Sequence, residues 1–226
     1  VTDEEIQKAY DDKVAAAMSS YQSNLPQYGS DVSSGTTVYY RPAGYRMVKN
    51  ILRKISDASS ATITDLSSQI TAKQSELTQN GDSLAVLPAD AATDTADQAK
   101  TRTELTAAKA QLETDLAALN TRLTATKSKA YAALQPTVDE IVGKLAAGED
   151  FDALMAQYGE DTGMQSEPGK TQGYLVCAGS TNWVTEFTDA AMALAKVGDV
   201  SAPFKTSYGI HIVKYVSDVA EGAVPL

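Results

Sequence analysis

Few side chains in this chain are suited to covalent or metal chemistry. It holds one histidine, His211, and one cysteine, Cys177. Zinc and iron–sulfur sites draw about four ligands, largely from those two residue types, so neither kind of centre is expected. A lone cysteine forms no internal disulfide, and with the only histidine far off in sequence Cys177 reads as a small buried hydrophobe. A Ser-His-Asp set built around His211 would lack a nucleophile elbow. The remaining polar and aromatic candidates each have an ordinary reading when taken singly. His211, between Ile210 and Ile212, is a buried and satisfied strand histidine; Phe187 is core on an amphipathic helix; Asp161 caps a turn. Trp183, the only tryptophan, follows a Ser-Thr-Asn loop and belongs at the surface or in a pocket.

These residues depend on elements that the pattern predicts in turn. Thr2-x-x-Glu5 is a capping box, and Ile6, Tyr10, Val14, Ala17 and Tyr21 follow at helical spacing, giving a helix over 2–22. Asn24 to Gly35 is rich in breakers and reads as a loop, followed by a short β-prone run at 36–40. Residues 45–55, YRMVKNILRKI, read as a strand carrying Asn50. From Ser56 to about Ala130 aromatic residues almost vanish. Ile63, Leu66, Ile70 and Leu77, then Leu105, Leu112, Leu116, Leu119 and Leu123, each form one narrow apolar stripe, with the break at 80–88. A helix cannot hide such a stripe alone, so the two pack as an antiparallel hairpin. After Lys129 the pattern turns globular: helices at 131–147 and 151–158, a Gly-rich passage at 159–173, a strand at 174–177, a helix at 184–196 and a last strand at 210–216.

The chain carries a net charge of −10 with a pI near 4.6. An acidic surface repels phosphate backbones, so nucleic acid is not an expected partner. Acids concentrate in the second half, whereas 45–55 holds four bases and no acid, either as a solvated strand face or as a functional patch. No apolar run approaches the ~20 residues that span a bilayer. The chain starts at Val1 with neither Met nor signal peptide, so it reads as a processed or trimmed piece, with any membrane attachment left to an N-terminal anchor outside it.

The stretches GEDFDALMAQYGED and WVTEFTDAAMALAKVGDVSAPFKTSYGIHIVKY resemble the second half of a parvulin domain, and RMVKNILRKI resembles its first strand. The resemblance covers 98 of 226 residues, and the ordered series Phe, Ala-Leu, Gly-Asp, Ser-x-Pro, Gly-Ile-His-Ile is its specific part. The opening VTDEEIQKAYDD is similar to the segment that precedes the isomerase domain in PrsA-type and SurA-type secretion foldases.

The resemblance implies an α+β fold: a four-stranded antiparallel sheet with surrounding helices, its first and last strands central, interrupted by the long helical hairpin and preceded by an N-terminal helix. The implied organisation is an N-terminal helix and linker at 1–44, a discontinuous isomerase domain at 45–56 and 131–216, a helical insertion at 57–130 and a tail at 217–226. The implied site places His211 on the last strand and Asp161 in the loop, with Asn50 where the family has a second histidine. Phe187, Trp183 (where Met is usual), Gln172 (near a usual Leu), Thr206 and Tyr208 would hold the proline. The implied activity is peptidyl-prolyl cis–trans isomerisation of unfolded or secreted polypeptides, weakened by Asn50, with no cofactor and at an extracytoplasmic location in a bacterium. The alternative is a catalytically weak parvulin-fold chaperone whose helical arm holds clients. The arm as spacer or homodimerisation rod stays open beside the arm as contact surface.

Overall fold

The computed structural model describes residues 1–225. The chain divides into two compact units, Val1–Lys54 together with the chain from Leu134 onward, and Ile55–Ala133.

In the first unit, helix α1 (Asp3–Ser23) opens on the reciprocal capping box. Thr2 Oγ1 accepts the Glu5 N–H at 3.2 Å and the Glu5 carboxylate accepts the Thr2 N–H at 2.8 Å. The breaker-rich stretch that follows is not simply a loop, because it contains helix α2 (Pro26–Ser33). Pro26 occupies the first turn, where its missing N–H costs no bond. Buried Tyr28 then packs edge-on against Tyr21 and Tyr45, with ring centroids 5.4 and 5.0 Å apart. Aromatic burial outweighs the weak local propensity.

Strand β1 (Tyr40–Arg41) is shorter than the β-prone run suggests, and β2 (Tyr45–Lys54) follows it. Helices α3 (Asp57–Ala85) and α4 (Ala96–Ala146) come next; α4 crosses from the second unit into the first. Then come α5 (Phe151–Tyr158), α6 (Gly169–Gln172), β3 (Tyr174–Cys177), α7 (Thr185–Ala193), β4 (Phe204–Thr206), β5 (Gly209–Asp218) and β6 (Gly222–Ala223). The fold is α+β. Its main sheet is four-stranded and antiparallel in the order β3-β2-β5-β4, so the first and last long strands are the central pair. β1 and β6 form a separate two-stranded sheet, which puts a strand within the stretch 217–226; residue 226 lies outside the described residues.

Strand alternation splits the core in two. Ile51 and Ile212 face Ile141, Phe151, Leu154, Met155 and Met164, while Val48 and Val213 face Phe187, Ala191 and Val176. Apart from exposed Lys54, the bases of β2 are neither a solvated face nor a patch. Arg46 lies 4.1 Å over the Tyr215 ring and donates to the carbonyls of Ala191 and Leu194 at the end of α7, where a cation complements the helix terminus. Buried Lys49 pairs with Asp152 at 2.5 Å, and Arg53 donates to the Tyr158 carbonyl at 2.7 Å and pairs with Glu160. Three of the four bases thus anchor the helices that cover the sheet.

In the second unit, Leu66 and Ile70 cluster with Leu116, Leu119 and Leu123, whereas Asn80 donates to the Leu105 carbonyl at 3.0 Å. Going forward along α3 goes backward along α4, so the pair is an antiparallel hairpin. Its turn comes later than the Asn-Gly-Asp signal at 80–82 suggests: α3 runs on to Ala85. Arg102 closes the connection, bonding both oxygens of Asp94 at 2.6 and 2.9 Å and the Pro88 carbonyl at 2.6 Å.

Candidate active site

The site lies on the face of the sheet that α7 covers. In the register of the central pair His211 stands opposite Leu52, and Asn50 opposite Val213. His211 and Asn50 are therefore diagonal neighbours on one face, within reach of each other. His211 Nδ1 and Asn50 Oδ1 are 3.1 Å apart. The other amide atom, Asn50 Nδ2, donates to Asp161 Oδ2 at 2.7 Å. Asp161 Oδ1 accepts the Tyr174 hydroxyl at 2.7 Å and the Gly163 N–H at 3.0 Å. Behind the ring, Thr206 Oγ1 lies 2.8 Å from His211 Nε2 and accepts the Tyr208 N–H at 3.1 Å.

Donors and acceptors settle the proton positions. An amide oxygen only accepts, so His211 Nδ1 carries the hydrogen; Nε2 of the neutral ring then accepts from the Thr206 hydroxyl. Burial pushes the His211 pKa down to about 4, against the raising influence of the Asp161 and Glu186 charges. Burial, and then the bond to Asp161, raises the Tyr174 pKa well above that of an exposed phenol. At neutral pH the network holds a neutral imidazole and a neutral phenol around one carboxylate.

Aromatic rings complete the site. Phe204 stacks on the imidazole at 5.3 Å and Phe187 meets it edge-on at 5.8 Å. Trp183 packs on Tyr174 at 4.3 Å and lies 5.5 Å from Phe187, its indole N–H held by the Leu175 carbonyl at 3.0 Å. Trp183, Tyr174 and Phe187 border a cavity of about 560 Å³, whose polar lining includes Asn50, Asp161 and His211 and which has Tyr208 on its exposed side, while Phe204 backs the imidazole from outside that lining. The described residues contain no group of three or more potential metal ligands.

Most sequence candidates meet here. Asn50, Asp161, His211, Trp183, Phe187 and Tyr208 line one cavity, and Thr206 supports the imidazole from behind. Gln172 does not join them. It ends α6, exposed and outside the cavity lining, because Gly173 turns the chain with φ +85° before β3 begins. A Cβ on Gly173 would lie 2.5 Å from the Val48 carbonyl, so only glycine lets β3 start against β2 here. Tyr174, one residue after that turn, supplies the wall and the polar contact instead. Sequence reasoning missed Tyr174 and Phe204; Gly163, where a Cβ would lie 2.0 Å from the Tyr174 hydroxyl, is the local trace of that close approach.

Residues 116–217 match the family described as "Rotamase: PPIC-type PPIASE domain". They belong to a parvulin-type peptidyl-prolyl isomerase domain. The parvulin match leaves β2 out, although β2 is central in the sheet and carries Asn50. Similar proteins include foldase protein PrsA 3 of Bacillus cereus, 46% identical over 87 residues, which is 38% of this chain and 29% of that protein. Foldase protein PrsA of a Geobacillus species has the same identity and coverage. Foldase protein PrsA of Caldanaerobacter subterraneus is 38% identical over 80 residues, 35% of this chain and 24% of that protein. The chain thus spans less than a third of the length of these relatives.

Proposed function

We propose that this chain catalyses cis–trans isomerisation of X-Pro bonds in unfolded or secreted polypeptides, as an extracytoplasmic foldase. The observation that carries the proposal is the continuous hydrogen-bonded network from half-buried Tyr174 and Asp161 through buried Asn50 and His211 to Thr206, set beneath an aromatic cavity open to solvent. Rotation about the peptide bond meets a barrier of ~18 to 20 kcal/mol because of resonance, and no bond needs to break. Catalysis requires only that the twisted amide bind better than either planar form. Amide resonance places negative charge on the carbonyl oxygen, so a fixed carboxylate such as Asp161 near that oxygen disfavours the planar state. The rings of Trp183 and Phe187 grip the proline while the preceding carbonyl turns, and a neutral His211 adds no competing charge. The extracytoplasmic assignment is supported by the foldase names of the relatives and by the resemblance to secretion foldases.

The test is a proline-isomerisation assay on tetrapeptides. Phe187→Ala removes the ring that touches both Trp183 and His211, and kcat/KM should fall at least about tenfold, the equivalent of ~1.4 kcal/mol of transition-state binding. Undiminished activity would place the proline elsewhere. The second reading, a holdase with little catalytic power, rests on Asn50 in the place of a second ring. It predicts peptide binding without rate enhancement in the same experiment.

A further inference from the structure

A second cavity, of about 620 Å³, adjoins the first and shares Thr181, Trp183 and Val184 with it. Its remaining lining is polar and acidic. Glu186 and Asp189 sit three residues apart on one face of α7, both exposed, and neither forms an ion pair among the described residues. The one lysine in the first cavity, Lys54, and its neighbour Glu160 do not extend into the second. Thr188, between them in sequence and only 4% exposed, also lines the cavity, and its Oγ1 has no hydrogen-bond partner among the described residues. A buried hydroxyl is ordinarily satisfied, so one left open at a cavity wall marks where a ligand atom fits. The charge of Glu186 is also felt at the His211 imidazole, so the groove acts on the same region as the isomerase network.

We propose that this second cavity is a subsite for a basic side chain, lysine or arginine, that flanks the proline of a client polypeptide. The proposal rests on the isomerase reading of the first cavity and adds a client preference to it. Consecutive residues of an extended chain advance roughly 3.3 to 3.6 Å. A proline between Trp183 and Phe187 therefore brings the side chains of its neighbours to the far side of Trp183, where Glu186 and Asp189 wait for a cation. The uncapped first turn of α7 would by itself favour an anion, but Glu186 already stands in that turn and answers its dipole. The net charge of −10 strengthens the same bias at long range.

The only tryptophan, Trp183, borders both cavities, so its fluorescence reports binding independently of turnover. The experiment titrates three otherwise identical proline peptides, bearing Lys, Gln or Glu beside the proline, and measures isomerisation of the same set. At low salt the Lys peptide should bind about three- to tenfold more tightly than the Gln peptide, as two partly exposed charge contacts allow. Glu should be the weakest of the three, and the Lys advantage should shrink as salt is added. In the E186Q/D189N double variant, conservative at two exposed positions, the ratio of Lys to Gln affinity should fall to about one. Thr188→Val should weaken the Lys and Gln peptides alike. Equal affinity for Lys and Gln, a preference for Glu, or a Lys preference unchanged in the double variant would each overturn the proposal. Binding with a Lys preference but no isomerisation would instead overturn catalysis and leave the subsite standing, and isomerisation without a Lys preference would do the reverse.

Discussion

Asn50 fixes the protonation of the site. Its amide oxygen forces the Nδ1–H form of His211, and its amide nitrogen passes the chain of donors on to Asp161. The ring thereby stays neutral while buried, and this couples it to stability. Its folded pKa of about 4 lies below the ordinary 6.5. Above pH 6.5 neither state holds the proton and the full stability is present. As pH falls from 6.5 toward 4 the unfolded chain takes up a proton that the folded ring refuses, and stability is lost. The slope from this one group averages about 1 kcal/mol per pH unit between about pH 6.5 and 5, approaching about 1.4 once the unfolded ring is fully protonated. With a single histidine in the chain, urea unfolding between about pH 6.5 and 5 should show that slope, and His211→Gln should flatten it. Equal slopes in the two proteins would mean that the ring is protonated in the fold. Asn50→His should leave isomerase activity unchanged or raise it, because a second imidazole can still accept from His211 and donate to Asp161; an inactive variant would make the amide itself essential.

At the scale of elements, the loop that carries Thr181, Asn182 and Trp183 is held from behind by α2. Asn182 Nδ2 donates to Ser33 Oγ at 3.1 Å and the Ser30 hydroxyl reaches Asn182 Oδ1 at 3.5 Å. Asn182→Ala should therefore raise KM more than it lowers kcat, by up to about tenfold for two modest hydrogen bonds, and should increase the mobility of Trp183 in fluorescence anisotropy. A fall in kcat with KM unchanged would contradict a positioning role. This contact also marks the limit of what the sequence made legible. Strands β2, β3 and β5 were readable because β-branched runs bounded by glycine leave little choice, and the hairpin was readable from its leucine stripes. Helix α2 was not: Tyr28 is buried between Tyr21 of α1 and Tyr45 of β2, contacts that lie outside the helix's own residues. The basic residues of β2 misled for the same reason, since their carbonyl and carboxylate partners lie about 100 to 150 residues away. In the site, Asp161 was legible through its family position, whereas Tyr174 was hidden because a tyrosine heading a strand looks like any other strand aromatic.

At the scale of the whole molecule, helix α4 serves two units. Its first part carries Leu116, Leu119 and Leu123 into the hairpin, and its last part buries Val138 and Ile141, the latter against Ile51 and Ile212 beneath the sheet. We propose that the hairpin is an insertion into the isomerase domain. The helix itself supports this, because Pro136 stands inside it near the boundary between the units. Mid-helix, proline removes a hydrogen bond and crowds the preceding turn, at ~3 kcal/mol or more. In a helix beginning just before residue 136, the same proline would occupy the first turn, where it is favoured. Replacing residues 58–129 with a short Gly-Ser linker should therefore leave a domain that starts its own helix at about residue 134. That domain should unfold cooperatively and retain most of its isomerase activity. Suppression of client aggregation should fall instead, if the hairpin is a contact surface and not a spacer. Loss of cooperative unfolding in the shortened protein, followed by urea with tyrosine and tryptophan emission as the probe, would mean that the domain needs the hairpin to fold, and the insertion would have to be abandoned.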